Sequence, residues 1–462
     1  MNKKNFEKLI ITRNSKNGIT LIALVITIVI LVIISGVVIN ATLGDNGLLA
    51  KVQEARDLYL NAQLDEELKL NELEFEVAQQ NLPKNTSETE AGTIVKLPSE
   101  WGKKAVKYIS TDTGNEIVSV TKVASVYAVA VGGGKSVPVP YKFYYVGGTL
   151  DSGVVISDNE ADKNKYADDE DGDIPKDLAG NQFVWIPCDA EDYKKVVWKN
   201  SSNAEFFNAK HYDITTNGDE LAYVEKYGGF YVGRYEAGKG STTTSGSVQI
   251  GANLENTGWH YADWSVKNKT ISGNVASKAD ETPYYHADYY TSLELANRMY
   301  KTDYVRSGLL TGTMWDAMLN FIRTDNTKDV TNSDWGNYYN KAITMDSGKY
   351  RIINSDGSET STNVWTNGVN GSTKFVTTTD TRYLLTTGAS EQVKAKNLYD
   401  VAGNLWEWTA EMSNNADNYY RMMLRGGSFN DYYGVFPACY RLTCTATSTD
   451  TNFGFRVALF LK

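Results

Sequence analysis

Residues Ile19–Ile39 form a run of 21 residues without a single charge. As a helix rising 1.5 Å per residue the run would reach about 31 Å, the thickness of a bilayer's hydrocarbon core. It is longer than the apolar stretch of a cleaved secretory signal. The preceding Met1–Gly18 carries Lys3, Lys4, Lys8, Arg13 and Lys16 against Glu7, a cationic flank that stays cytosolic and sends the body of the chain outside. The segment therefore predicts a single-pass membrane protein with an extracellular main domain. The formal charge of −10 becomes more negative once the basic leader is removed, which argues against a nucleic-acid partner. With 462 residues, 42% of them hydrophobic, the chain can bury a sizeable core in two or three units.

Beyond Gly44-Asp45-Asn46-Gly47, residues Leu48–Gln80 are rich in Leu, Ala, Glu and Lys. Leu60, Leu64, Leu68 and Phe75 fall near helical spacing, predicting an amphipathic stalk helix that ends before Pro83. A polar linker, 84–92, and a short β-rich segment with its clearest strand at Ile117–Val131 follow. Gly132-Gly133-Gly134-Lys135-Ser136 lacks the first glycine of a phosphate loop, since position 129 is Val129, and reads as a hinge. From Val137 on, short strands, turns and abundant Gly, Tyr, Trp, Asn and Thr predict one large irregular domain.

The junction Lys16-Asn17-Gly18-Ile19-Thr20-Leu21-Ile22 resembles the type IV prepilin cleavage site. The resemblance implies cleavage after Gly18, methylation of the Ile19 amine and an association with pilin subunits. The glutamate usual at mature position five is Ala23 here, which removes the carboxylate that pairs with a neighbouring subunit's amine. Display of a domain is expected rather than construction of a filament shaft. The domain plan is a leader at 1–18, a transmembrane and stalk helix at 19–82, a linker and small β segment at 83–136 and a large domain at 137–462. The fold class is α+β, led by a long N-terminal pilin-like helix.

Catalytic motifs are sparse. His211, His260 and His286 lack zinc-site spacing, and no G-x-S-x-G or H-E-x-x-H motif occurs. The acidic run Asp168-Asp169-Glu170-Asp171-Gly172-Asp173 lacks the remaining positions of a helix-loop-helix calcium site and reads as a solvated loop.

The C-terminal region carries Asp400-Val401-Ala402-Gly403-Asn404-Leu405-Trp406-Glu407-Trp408-Thr409, then Leu424-Arg425-Gly426-Gly427-Ser428-Phe429 and Gly454-Phe455-Arg456. With Phe183-Val184-Trp185-Ile186-Pro187 and Gly229-Phe230-Tyr231-Val232-Gly233-Arg234-Tyr235-Glu236, these ordered blocks resemble the formylglycine-generating enzyme family. The resemblance implies an elaborated C-type lectin-like domain. It also implies a calcium site built from Asp400 with the carbonyls of Gly403 and Leu405, oxygen donors that suit a hard cation; Asp400 capping the turn is the alternative.

Oxidases of that family bind copper through two cysteines in a C-x4-C pattern, and Cys439-Tyr440-Arg441-Leu442-Thr443-Cys444 has that spacing. Thiolates suit cuprous copper because both are soft. A disulfide between the two, with Cys188 left over, is the competing reading. Between Gly426 and Arg456 none of the 31 residues is Lys, Glu, Gln, Met or Trp, the amino acids that codons ending in a pyrimidine cannot encode. This resembles the variable proteins of diversity-generating retroelements, which display a mutated patch on a lectin-like fold. It implies ligand-binding positions at Asp431, Tyr432, Tyr433, Cys439, Tyr440, Leu442, Thr443, Cys444 and Thr445, beside Trp406. Tyr, Asp, Ser and Thr are what adaptable binding surfaces favour.

Three functions stand at this level. The first is a cell-surface or pilus-associated binder of a protein or glycan ligand. The second is a copper-dependent oxidase that turns a client cysteine into formylglycine through Cys439 and Cys444. The third is a minor pilin.

Overall fold

The computed structural model describes residue 25 and residues 48–101, 106–109, 116–119, 126–169, 171–206, 211–214, 220–240, 245–249, 268–302, 304–354, 356–359, 364–414 and 420–462. Two compact units are present, Met1–Glu67 with Ile109–Val118, and Leu68–Tyr108 with Ser119–Lys462.

The described residues are predominantly strands. This corrects the expected α+β class with its long pilin-like helix. The segment Leu48–Gln80 is helical, but it is polar and exposes Leu58, Leu73 and Val77, unlike an apolar pilin helix. Elsewhere the short β-branched and aromatic runs between turn glycines favour strands over helices. The expected single-pass membrane location is corrected as well. Among the described residues no helix is long and apolar enough to cross a membrane. Gly18, Ile19 and, apart from Val25, the whole of Ile19–Ile39 lie outside the described residues.

Ile94–Val95, Val126–Ala130 and Ser136–Pro140 form a small antiparallel sheet. The glycines at 132–134, read as a hinge, make its hairpin turn, with the Lys135 N–H donating to the Gly132 carbonyl at 3.0 Å.

The larger architecture rests on two sheets. The first runs Val305–Leu309, Val457–Leu461, Gly229–Gly233, Gln182–Pro187, Val155–Ser157, Tyr144–Gly147, all antiparallel. Its central strands are apolar on both faces, which is why Val457–Leu461 reads as a continuous hydrophobic run. Alternation along each strand sends Phe183, Trp185, Tyr231 and Leu459 into one core with Trp406 and Trp408. The same alternation sends Val184, Ile186, Phe230, Val232 and Phe460 into a second core with Trp315, Met314 and Met318 of helix Gly312–Ile322. Thr311 starts that helix, its hydroxyl accepting from the Met314 N–H.

The second sheet orders Arg441–Cys444, Tyr420–Arg425, Trp406–Asn414 and Phe453–Phe455, with His211–Asp213 also pairing with Trp406–Asn414. Leading into it, Gly403 takes φ +76° and lies against the Asn337 backbone, so an added Cβ would strike that carbonyl. Gly403→Ala should therefore cost at least about 2 kcal/mol, from left-handed strain plus overpacking, measurable by urea denaturation.

Candidate functional site

The C-terminal segment is anchored by a buried ionic cluster. Asp316, on helix Gly312–Ile322, accepts from Arg425 Nη2 at 2.7 Å and Arg441 Nη2 at 2.5 Å, and also from Trp198 Nε1 and the Val196 N–H, both at 2.9 Å. Glu411 accepts from Arg441 Nε at 3.0 Å and Arg425 Nη1 at 3.2 Å. Lys195 joins Glu411 to Asp213, which caps the helix through the Gly312 N–H at 2.8 Å. Arg425 also donates to the carbonyls of Cys439 and Tyr440. The arginines thus tie the cysteine segment to the core.

Burial alone would raise the Glu411 carboxyl, but Arg441 and Arg425, aided by Lys195 and His211, hold it down at about 2. Its folded value lies below the ordinary carboxylate range. The stability it contributes is present above about pH 4.5 and is lost as the pH falls from there towards 2. Thermal unfolding across that interval should show a steeper acid loss for wild type than for Glu411→Gln; parallel profiles would contradict this.

The two cysteines of the C-x4-C pair are free thiols, as is Cys188. Cys439 is fully buried among Trp315, Tyr338 and Ala438, and its N–H donates to the Val330 carbonyl at 3.3 Å. Cys444 is half-buried against the other core, beside Leu442 and Tyr440. Burial pushes the Cys439 thiol up to about 12, against Arg425 and Arg441, and also raises Cys444. A copper site needs thiolates, and the oxidase reading needs one that a client can reach. Two thiols in separate cores, one with no exposed surface, do not fit the metal.

The loop that follows Ser428 supplies the exposed groups. Tyr432 is 47% exposed and stands edge-on to Tyr339, centroids 5.4 Å apart. The Arg382 guanidinium lies 4.5 Å from the Tyr339 ring centre and Arg382 donates to Asn430 Oδ1. The Tyr433 N–H donates to Asn340 Oδ1 at 3.0 Å, and the Tyr339 N–H to the Asp431 carbonyl at 2.9 Å. An aromatic platform with a cation and amides at its edge is therefore set on fixed backbone.

The other expected binding residues are placed differently. Trp406 is buried and contributes to the core. Asp431 is half-buried, accepting from Ser428 and the Trp406 ring N–H, and burial lifts its carboxyl to about 6. Tyr440 is half-buried against Phe436, Trp406 and Phe206. Leu442 and Thr443 are half-buried on the strand, and Thr445 is exposed beside Ser448. Tyr339, Asn340 and Arg382 were missed by sequence reading, since only the fold brings them to this loop.

The expected calcium position is fully interior. Asp400 takes φ +57° and its Oδ2 accepts from the N–H of Gly388, twelve positions upstream, at 2.6 Å. The Gly403 N–H donates to the Gly426 carbonyl at 2.9 Å, and the Leu405 side chain is buried. Two further carboxylates lie near. Glu407 is paired with Arg456 at 2.7 and 3.0 Å, and the Oε2 of buried Glu236 has no hydrogen-bond partner among the described residues. Burial raises Asp400 to about 6 and Glu407 to about 7; it also raises Glu236, with Asp400 and Glu407 adding to the effect. Arg456 and Lys176 oppose the effect of burial on Asp400, and its carboxylate and the neighbouring backbone carbonyls are oxygen donors of the type a hard cation takes. Among the described residues no three Asp, Glu, His or Cys side chains converge to hold a metal; an ion here would depend on Asp400 and backbone carbonyls.

Residues 254–460 match the family described as the sulfatase-modifying factor enzyme 1-like domain. The match contains both the cysteine segment and the exposed loop. Among curated proteins, none matches the chain.

Proposed function

We propose that this chain is a ligand-binding protein that uses a formylglycine-generating-enzyme-like domain as a scaffold, with the loop Asn430–Phe436, Tyr339 and Arg382 as the binding face. The observation that carries the reading is the exposed Tyr432 standing on the Tyr339–Arg382 pair. Tyrosine and arginine at the centre of a face supply most binding energy in recognition surfaces. The ligand is a protein or a glycan. The missing Lys, Glu, Gln, Met and Trp between Gly426 and Arg456 support a face whose residues vary through adenine-directed mutation. The test is an array of proteins and glycans probed with the full chain. Selective binding that Tyr432→Ala removes supports the reading, and silence across the array counts against it.

The oxidase reading has the C-x4-C spacing in its favour, but a fully buried Cys439 offers a client no access. Calcium, held by Asp400 with the carbonyls of Gly403 and Leu405, is proposed as a structural ion. Millimolar calcium should raise the melting temperature of wild type and leave Asp400→Asn unmoved. An equal response of both would contradict it.

A further inference from the structure

A second site lies away from the tyrosine face, in a cleft of about 540 Å³, within the usual size range of small-molecule sites. One side is formed by strand Val275–Ala276 and the residues after it, the other by the end of helix Tyr289–Met299. Its polar lining includes Asp158, Asn181, Lys278, Glu281, Arg298 and Tyr300, with Asn274 beside them.

Some of these groups are committed to holding the walls. Asp158 accepts from Asn181 Nδ2 at 2.8 Å and from the Tyr300 hydroxyl at 2.5 Å. The Tyr300 ring packs in T-shaped contacts with Phe143 and Phe183. Arg298 is fixed by Glu294 at 2.9 Å and by the Ile271 carbonyl at 3.2 Å.

Others retain capacity. Lys278 Nζ donates to the Ala179 carbonyl at 2.6 Å, which uses one of the three N–H bonds of an ammonium. The half-buried Glu281 carboxylate accepts no hydrogen bond among the described residues, and Gly238 lies so close that any Cβ there would meet the Glu281 side chain. Burial raises that carboxyl while Lys278 lowers it.

We infer that this cleft binds a zwitterionic ligand, a short peptide with free termini, whose ammonium pairs with Glu281 and whose carboxylate pairs with Lys278. One cation and one carboxylate with bonding capacity left on the same lining match such a ligand better than a uniformly charged one, and charge-assisted bonds at both ends set its orientation. The inference is independent of the tyrosine face.

Isothermal titration of the full chain with trialanine tests it, using N-acetyl-trialanine as the control ligand and Glu281→Gln and Lys278→Met as variants checked for an unchanged melting temperature. Trialanine should bind wild type at least tenfold more tightly than the acetylated peptide. Glu281→Gln should erase that difference, Lys278→Met should weaken both peptides, and Tyr432→Ala should change neither. No binding of trialanine at millimolar concentration, or equal affinity of the free and acetylated peptides, would overturn it. Binding of a neutral disaccharide in its place would do so too.

Discussion

Asp316→Ala will destabilise the domain by about 3–5 kcal/mol, the cost of removing one partner from a buried ionic cluster. The carboxylate receives two arginines, an indole and a backbone N–H, so deletion leaves four donors without it in a place water does not reach. Arg425 and Arg441 would keep Glu411 alone, with two positive charges against one. Chemical denaturation of the full chain should show the loss as a lower midpoint. Asp316→Asn keeps the shape but not the charge and should recover only part of it. A loss below about 1 kcal/mol would mean that the cluster is solvated like a surface pair.

The second large effect falls on binding rather than stability. Tyr432→Ala combined with Arg382→Ala should weaken the ligand by at least about 2 kcal/mol, roughly thirtyfold, which is the scale of a central tyrosine or arginine in an interface. Tyr432 is exposed and its main packing partner is the Tyr339 edge, so the melting temperature should move little. A parallel collapse of both quantities would make the face structural.

The blocks Phe183–Pro187, Gly229–Glu236 and Trp406–Thr409 were legible through their ordered resemblance to one family; in the first two, strand residues alternate between two cores, and Trp406 and Trp408 enter the first of these. The helical run Leu48–Gln80 was legible from its composition, yet the continuous apolar helix expected to lead into it and the membrane location drawn from it are not supported. The meaning of the C-x4-C spacing was hidden for a physical reason. Whether a thiol faces a core or a groove depends on which side chains tether its strand. Here the tether runs from Arg425 to Asp316, 109 positions away. The same distance problem hid Tyr339 and Arg382, which reach the loop only after folding. The polar cleft was invisible because Asp158 and Tyr300 meet across 142 positions.

The most direct measurement is the dissociation constant of an array-selected ligand for wild type and Tyr432→Ala, each with and without a cuprous chelator. A recognition face predicts binding that ignores the chelator and is lost in Tyr432→Ala. Binding that survives the substitution, or that vanishes when copper is withdrawn, would contradict it.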